Sequence, residues 1–373
     1  MTYQRSAVIG LLASTLGCTP LLADWASHPI DFGAADKPSA SLAQDGLLQV
    51  SYLDKTSGNF KLAVKAPATQ WKTSVLQAMP DSMVAQNYSH QLDLQGNLHL
   101  VYRDEGGAVL YAHDINNNKW SFVALATLKD SAIPLNMFRN YGDEIQYYSN
   151  ASGNWHLEVL SKPALFDAIK VSLSPPAAAI DAEGHEHVVY SRGSSFQGSK
   201  GNVSLGVQLL YATNKTGAWE IDKAVGEGTT ANERQIYAPV MAIDITGYAH
   251  VVYAAAVAER YTLRYATNAS GRWKASNIVS FDGILYPKHL AINPIGNQIH
   301  LVYHQQEDAN SLSVQYATNQ RLNQWTQQTI YTPSLQTSQV TSKLQSTFAV
   351  DKANVPHYIF VDTDSASLEA LTP

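Results

Sequence analysis

The chain has 373 residues, 45% of them hydrophobic and only 15% charged, with a formal net charge of −6. That length holds a large core, and 20 Tyr and 22 Gly with so few charges favour a β-rich exported protein over a helical cytosolic one. No basic run offers a surface to nucleic acid, and a single cysteine, Cys18, rules out an intrachain disulfide framework.

In chain order, MTYQR carries one positive charge and is followed by SAVIGLLASTL, an uncharged run of 11 residues. This is a signal-peptide core, too short to span a bilayer. Two processing schemes fit. STLGC sets Gly17 before Cys18 as a lipoprotein box does, although Thr15 stands where Leu is usual. Cleavage after Ala23 in PLLA is the other, with a bulky Leu21 three residues before the cut. Either way residues 1–23 form a signal peptide and residues 24–373 one exported domain. An outer-membrane lipoprotein anchored at Cys18, a periplasmic protein and an extracellular one are the expected locations.

From there the chain repeats itself. QLDLQGNLHLVY (91–102), AIDAEGHEHVVY (179–190), AIDITGYAHVVY (242–253) and AINPIGNQIHLVY (291–303) share an apolar stretch ending in Asp or Asn, a Gly three residues on, and a closing HVVY or HLVY. Each such segment is followed after a variable gap by a second pattern, as in LLYATNKTGAW (209–219), LRYATNASGRW (263–273) and VQYATNQRLNQW (314–325), and then by an alternating run. Period-two patterning reads these as four short strands, and four-stranded units at this spacing predict a β-propeller.

The tryptophans count the units. Trp25, Trp71, Trp120, Trp155, Trp219, Trp273 and Trp325 each open a candidate outermost strand, so the expectation is all-β, a seven-bladed propeller with four-stranded blades. The last unit (348–372) lacks its fourth strand, and WASHPIDF (25–32) supplies it, closing the ring with the two termini. One unit is defective: between Trp120 and Trp155 the inner hairpin has lost its Asp–Gly turn and its His, leaving AIPLNMFRNYGD (132–143). Six full blades and a partial one is the alternative count.

His99, His187, His250, His300 and His357 recur at one place in the unit, and Gln49 replaces them in the first. A residue that recurs blade after blade and tolerates Gln is carpentry, hydrogen-bonding within the turn. One His per blade is too dispersed for a metal ligand set. No cofactor is expected, a structural or site metal ion is left open, and the seven Trp read as wedges between blades.

The repeat resembles a bacterial exported propeller family, loosely similar to the Asp-box and sialidase-like repeats. Propellers of that kind occur in polysaccharide lyases of the ulvan-lyase type, in some glycosidases and in lectins. The resemblance covers nearly all of the mature chain and implies the fold. It departs from true sialidases, because neither the SxDxGxxW box between outer strands nor the Arg-Ile-Pro motif is present. Ulvan lyases of this fold use two His, a Tyr and an Arg near one end of the channel. Their spacing does not match here residue by residue, so no role is carried over.

Function is expected where the copies differ. The first-to-second and third-to-fourth turns are uniformly short and share one face. The second-to-third and inter-blade loops vary, up to SRGSSFQGSKGNVSLG (191–206) and GEGTTANERQIYAP (226–239), and make the opposite face the place for a site. In the sixth unit His289 and His304 have no counterpart elsewhere, and a hairpin pairing Asn293 with His300 sets them opposite each other. Tyr286 and Lys288 lie beside them, with Arg234, Tyr237 and Arg260 in the fifth unit. Tyr88, His90 and Arg103 belong to the second unit, and Arg139 and Tyr141 to the defective one. A lyase acting on a uronic acid must neutralise a carboxylate and move a proton next to it, for which Arg or Lys and neutral His or Tyr suit. His289, His304 and Tyr237 are the catalytic candidates, the others substrate-binding ones. No pair of carboxyls faces across the inner strands as a glycosidase needs. The expected partner is a polysaccharide or oligosaccharide, the expected state a monomer; a non-catalytic glycan- or protein-binding propeller is the alternative, and a glycoside hydrolase the second.

Overall fold

The computed structural model describes residues 24–373 except 44, 67–68, 82, 93–96, 107, 115–119, 128–137, 142–143, 150–155, 161–168, 199–200, 224–232, 258–259, 294–296, 309–310, 322–323, 334–343 and 363. The signal segment with Cys18, Trp155 and most of 132–143 thus lie outside the described residues.

The described chain is built of antiparallel sheets. After β1 (Ala26–Asp31) come β2 (Ala35–Leu42), β3 (Leu48–Asp54), β4 (Asn59–Lys65) and β5 (Lys72–Ala78), which pair in sequence order as one blade. β6 (Met83–Leu92), β7 (Leu98–Asp104), β8 (Ala108–Asp114) and β9 (Trp120–Thr127) form the next. β10 (Phe138–Tyr141), β11 (Glu144–Ser149) and β12 (His156–Val159) make a sheet of three strands. Beyond it, β13 (Ile169–Leu173) and β14 (Ala177–Ile180) pair in tandem along β15 (Glu186–Gly198), followed by β16 (Gly201–Thr213) and β17 (Glu220–Lys223). The innermost strand of this blade is split where Pro175 and Pro176 withdraw two ladder donors. β18 (Glu233–Ile243) to β21 (Lys274–Phe281), with β19 (Ala249–Val257) and β20 (Arg260–Thr267) between, form a blade; so do β22 (Ile284–Ile292), β23 (Ile299–Gln306), β24 (Leu312–Arg321) and β25 (Gln324–Tyr331).

The last sheet is β26 (Ser346–Val350), β27 (Pro356–Val361) and β28 (Leu368–Thr372), with β1 as its fourth strand. Ala26 pairs with Thr372 and Asp31 with Leu368, so the two ends of the chain share one blade. The expectation of seven four-stranded blades is corrected to six. The unit between Trp120 and Trp155 contributes only three described strands, and it is the copy whose inner hairpin lost the residues that set the turn.

Burial follows position in the blade. The second strand β23 is buried at six consecutive positions, Ile299–His304, because neighbouring blades cover both its faces, whereas β5 on the outside opens with four exposed residues. The core lies between blades. One cluster joins Val189, Leu209 and Tyr211 to Val251, Tyr253 and Met241, and another joins Val252, Leu263 and Tyr265 to Leu301 and Tyr303.

The repeated residues are joinery. Asp244 Oδ1 accepts from the backbone N–H groups of Thr246 and Tyr248 at 2.9 Å each, closing the turn, while Oδ2 meets His250 Nε2 at 3.1 Å. His250 Nδ1 lies 2.6 Å from the Tyr265 hydroxyl, and the Tyr265 ring meets Trp325 of the next blade at 5.6 Å. The same chain links Asp181, His187, Tyr211 and Trp273. His300 pairs with Tyr316, which packs 5.0 Å from Trp25. Turn, hairpin and inter-blade wedge are thus one hydrogen-bonded unit copied around the ring.

Candidate functional site

The mouth face is where innermost strands begin, and they begin irregularly. Register shifts fall between Asp36 and Ser39 in β2, between Tyr237 and Val240 in β18, and between Pro287 and His289 in β22. Pro38, Pro239 and Pro287 sit at or beside these bulges, where a missing N–H costs no ladder bond. Ala238 is held there at φ 49°, a left-handed conformation that re-aims its neighbours.

Between the β15 and β18 blades the bulges open a cavity of about 830 Å³. Ser174, Ser191 and Ser194 line one side and Tyr237, Tyr261 and Tyr286 the other. The tyrosine rings meet edge to face, Tyr237 lying 6.0 Å from Tyr261 and 5.9 Å from Tyr286. Four prolines, two glycines and apolar side chains such as Leu173, Val207 and Ile236 add to the wall, and no charged side chain is among the lining residues. Burial pushes the Tyr237 hydroxyl well above the ordinary phenol range, and Tyr261 and Tyr286 add to the shift. It is a hydrogen-bonding group here rather than a base.

Next along β22, Lys288 occupies the bulge itself. Burial pulls its amine below the usual lysine range, and no acidic side chain pairs with it among the described residues. His289 follows, partly buried, with Nε2 2.9 Å from Ser346 Oγ and its ring 6.4 Å from Tyr358 of the closing blade. His304 is fully buried, and neither ring nitrogen has a hydrogen-bond partner among the described residues. Burial, then the charge of Lys288, lowers His289 to about 3, and the same two causes with His289 hold His304 well below the imidazole range. Both are neutral imidazoles near neutral pH.

The expected facing of His289 and His304 is corrected. The hairpin closes with Ile292 opposite Ile299, so His300 meets Ala291 rather than Asn293, and His289 falls opposite Val302. The bulge at Lys288 then sets His304 opposite Tyr286. The two imidazoles remain close enough to couple electrically, on the side of the blade that faces β26.

Other candidates divide. Tyr237 and Tyr286 meet in the cavity; Lys288 follows the lining residue Pro287 in the chain but is not itself a lining residue. Tyr88 and His90 belong elsewhere, between the β2 and β6 blades. The Tyr88 hydroxyl donates to Asp36 Oδ2 at 2.9 Å, and Lys37 Nζ lies 4.2 Å above its ring. Buried Asp36 also takes Gln345 Nε2 at 2.7 Å and Lys55 Nζ at 2.9 Å, tying three blades together. His90 is buried against Phe60, with Nδ1 3.2 Å from Ser51 Oγ, and burial lowers it to about 3. It sits two residues before the turn end of β6, away from the mouth. Arg260 is exposed and reaches Asp282 at 3.5 Å on the rim. Arg234 falls at a bulge of β18, Arg103 in β7 and Arg139 in β10; their side chains, like that of Tyr141, lie outside the described residues.

Tyr261 was missed. It stands beside Arg260, whose charge drew attention instead, and only its place at the start of a third strand marks it. Asp181, Glu183 and His185 bring their ligand atoms within 4.8 Å of one another. Asp181 is already spent, however: Oδ1 takes the N–H groups of Glu183 and His185, and Oδ2 meets both His185 and His187.

No family profile and no curated protein sequence matches this chain. Solved structures do resemble it distantly. A polysaccharide lyase, an ulvan lyase, shares 12% identity over 90% of this chain and 78% of its own, with a TM-score of 0.39. The intramolecular trans-sialidase of Ruminococcus gnavus shares 9% over 91% and 94%, with a TM-score of 0.39. The SapL1 lectin shares 13% over 82% and 99%, with a TM-score of 0.36. An activity of this chain has to be argued from its own residues.

Proposed function

We propose that the protein recognises an acidic, uronate-containing carbohydrate at a single site on the mouth face. A sugar ring sits in the tyrosine-lined cavity and Lys288, next in the chain to Pro287 of its wall, takes the carboxylate. Lys288 is the observation that carries this reading. A partly desolvated ammonium with no acidic partner is costly, and an incoming carboxylate removes that cost. Tyrosine faces and proline walls suit the apolar side of a pyranose, and serine hydroxyls suit its rim of hydroxyls.

β-Elimination by a polysaccharide lyase is a second reading, favoured by a neutral His289 beside the Lys288 cation. The geometry supports recognition better. An imidazole lowered to about 3 is a weak base, and a fully buried His304 cannot touch a polymer. No carboxyl pair lines the cavity for hydrolysis.

Calorimetry with polygalacturonate, alginate and neutral dextran tests the proposal, with ultraviolet absorbance watched for unsaturated uronate. Uronate polymers should bind and dextran should not. Lys288→Met should weaken binding roughly tenfold to a hundredfold, the worth of one charged hydrogen bond. Equal affinity for dextran, or an unchanged Lys288→Met variant, would sink the recognition reading; a rise in absorbance lost in His289→Ala would promote the lyase reading.

A further inference from the structure

The opposite face of the ring carries apolar side chains that its carpentry does not explain. Ile180 ends β14 at 67% exposure, and Ile245 and Tyr248, in the next blade's turn, are 60% and 39% exposed. These turns touch: a side chain added at Gly247 would lie 3.1 Å from Lys215 Nζ and 3.7 Å from Asp181 Oδ2. Ile180 on one tip and Ile245 and Tyr248 on the other thus stand exposed on adjoining tips, where small or polar residues are the rule.

The chain's route says what covers those tips. Tyr358, near the start of β27 and just past its turn, pairs with Leu371, and Ala26 pairs with Thr372. The N-terminal end of β1 is therefore on the turn face. Six residues, Thr19–Asp24, separate Trp25 from Cys18, a reach of at most about 20 Å. The apolar run SAVIGLLASTL comes directly before. Any lipid attached at Cys18, or any retained leader, would emerge from the same side as Ile180, Ile245 and Tyr248, with the carbohydrate site pointing away.

We propose that the turn face docks on a lipid bilayer, Ile180, Ile245 and Tyr248 entering the headgroup boundary. Exposed Lys215 stands beside Gly247 to meet lipid phosphates, while exposed Glu183 on the neighbouring tip opposes them. The apolar groups, not net charge, therefore supply the contact.

The test uses the protein as cells process it, with vesicles of phosphatidylethanolamine and phosphatidylglycerol. Co-sedimentation should be accompanied by slowed hydrogen exchange over 181–185 and 244–248 and none over 286–289. The triple variant Ile180→Ser, Ile245→Ser, Tyr248→Ser alters exposed groups only and should melt as the wild type does. Its vesicle partitioning should drop roughly tenfold or more. The proposal is overturned if the triple variant partitions unchanged or if exchange over the tips is unaffected by vesicles. It is equally overturned if the tips become protected with rising protein concentration in the absence of lipid, which would make the occupant a second copy of this chain. None of these results bears on sugar recognition at the other face.

Discussion

His250 and His304 are both buried imidazoles on second strands, at opposite ends of their blades. His250 has both ring nitrogens engaged, by Asp244 and Tyr265, and its equivalents recur around the ring. His304 has neither engaged among the described residues, and no described blade repeats it. On the turn face, His187, His250 and His300 repeat one joint with both ring nitrogens engaged. The mouth face carries unrepeated residues whose polarity is left open, which is where a ligand has something to complete.

Acid should expose the largest difference. His90, His289 and His300 are lowered to about 3, 3 and 4, and His187, His250, His304 and His357 are lowered too, with burial as the leading cause in every case. Folded-state values below the unfolded one mean that the unfolded chain takes up protons first. Stability is full above the unfolded imidazole value of about 6.5 and falls as pH drops toward the folded values, by about 1.4 kcal/mol per pH unit for each histidine. Asp54 and Asp181, lowered to about 2, add losses only below the ordinary Asp value of about 4. Melting temperature should therefore be level near neutrality and drop steeply between about pH 6.5 and 4; a flat profile there would remove the buried neutral histidines from the account.

Single substitutions sharpen the contrast. His250→Ala strips Asp244 Oδ2 and the Tyr265 hydroxyl of their partner in a buried joint and should cost about 3 kcal/mol in a denaturant titration. His304→Leu should do the reverse. It fills nearly the same space beside Val302 and Val314 without an unsatisfied donor, so a gain of about 1 kcal/mol is expected. Should His304→Leu destabilise as much as His250→Ala, the mouth histidine is a joint after all. Smallest is Arg260→Ala, whose pairing with Asp282 is exposed on both sides and should move stability by less than about 0.5 kcal/mol.

Much of the ring was legible in the sequence because its joints are local. An Asp that caps its own turn, a Gly three residues on and a His six residues on are read within a dozen positions, and Trp marks each outer strand. Closure was legible as a missing strand at one end and a spare one at the other. The mouth was not, since bulges carry no signature beyond a nearby proline. Counting from Asn293 without the true turn or the bulge at Lys288 misplaced His289 and His304. Charge also misled: Arg260 was chosen and its uncharged neighbour Tyr261, which lines the cavity, was passed over. In the defective unit no Asp or His survived from which to read an inner hairpin.

Pairing of β1 with β28 fixes an order of events in time. Ser27 and Glu369, joined across that pair at 3.0 Å, are 342 positions apart. A ribosome or translocon delivering the chain from its first residue releases β1 earliest, yet β1 has no partner until the final strand has arrived. The sealing step is therefore last, non-local and slow. Until that clasp fastens the ring stays open at one blade edge, and no stretch shorter than the whole chain can seal it.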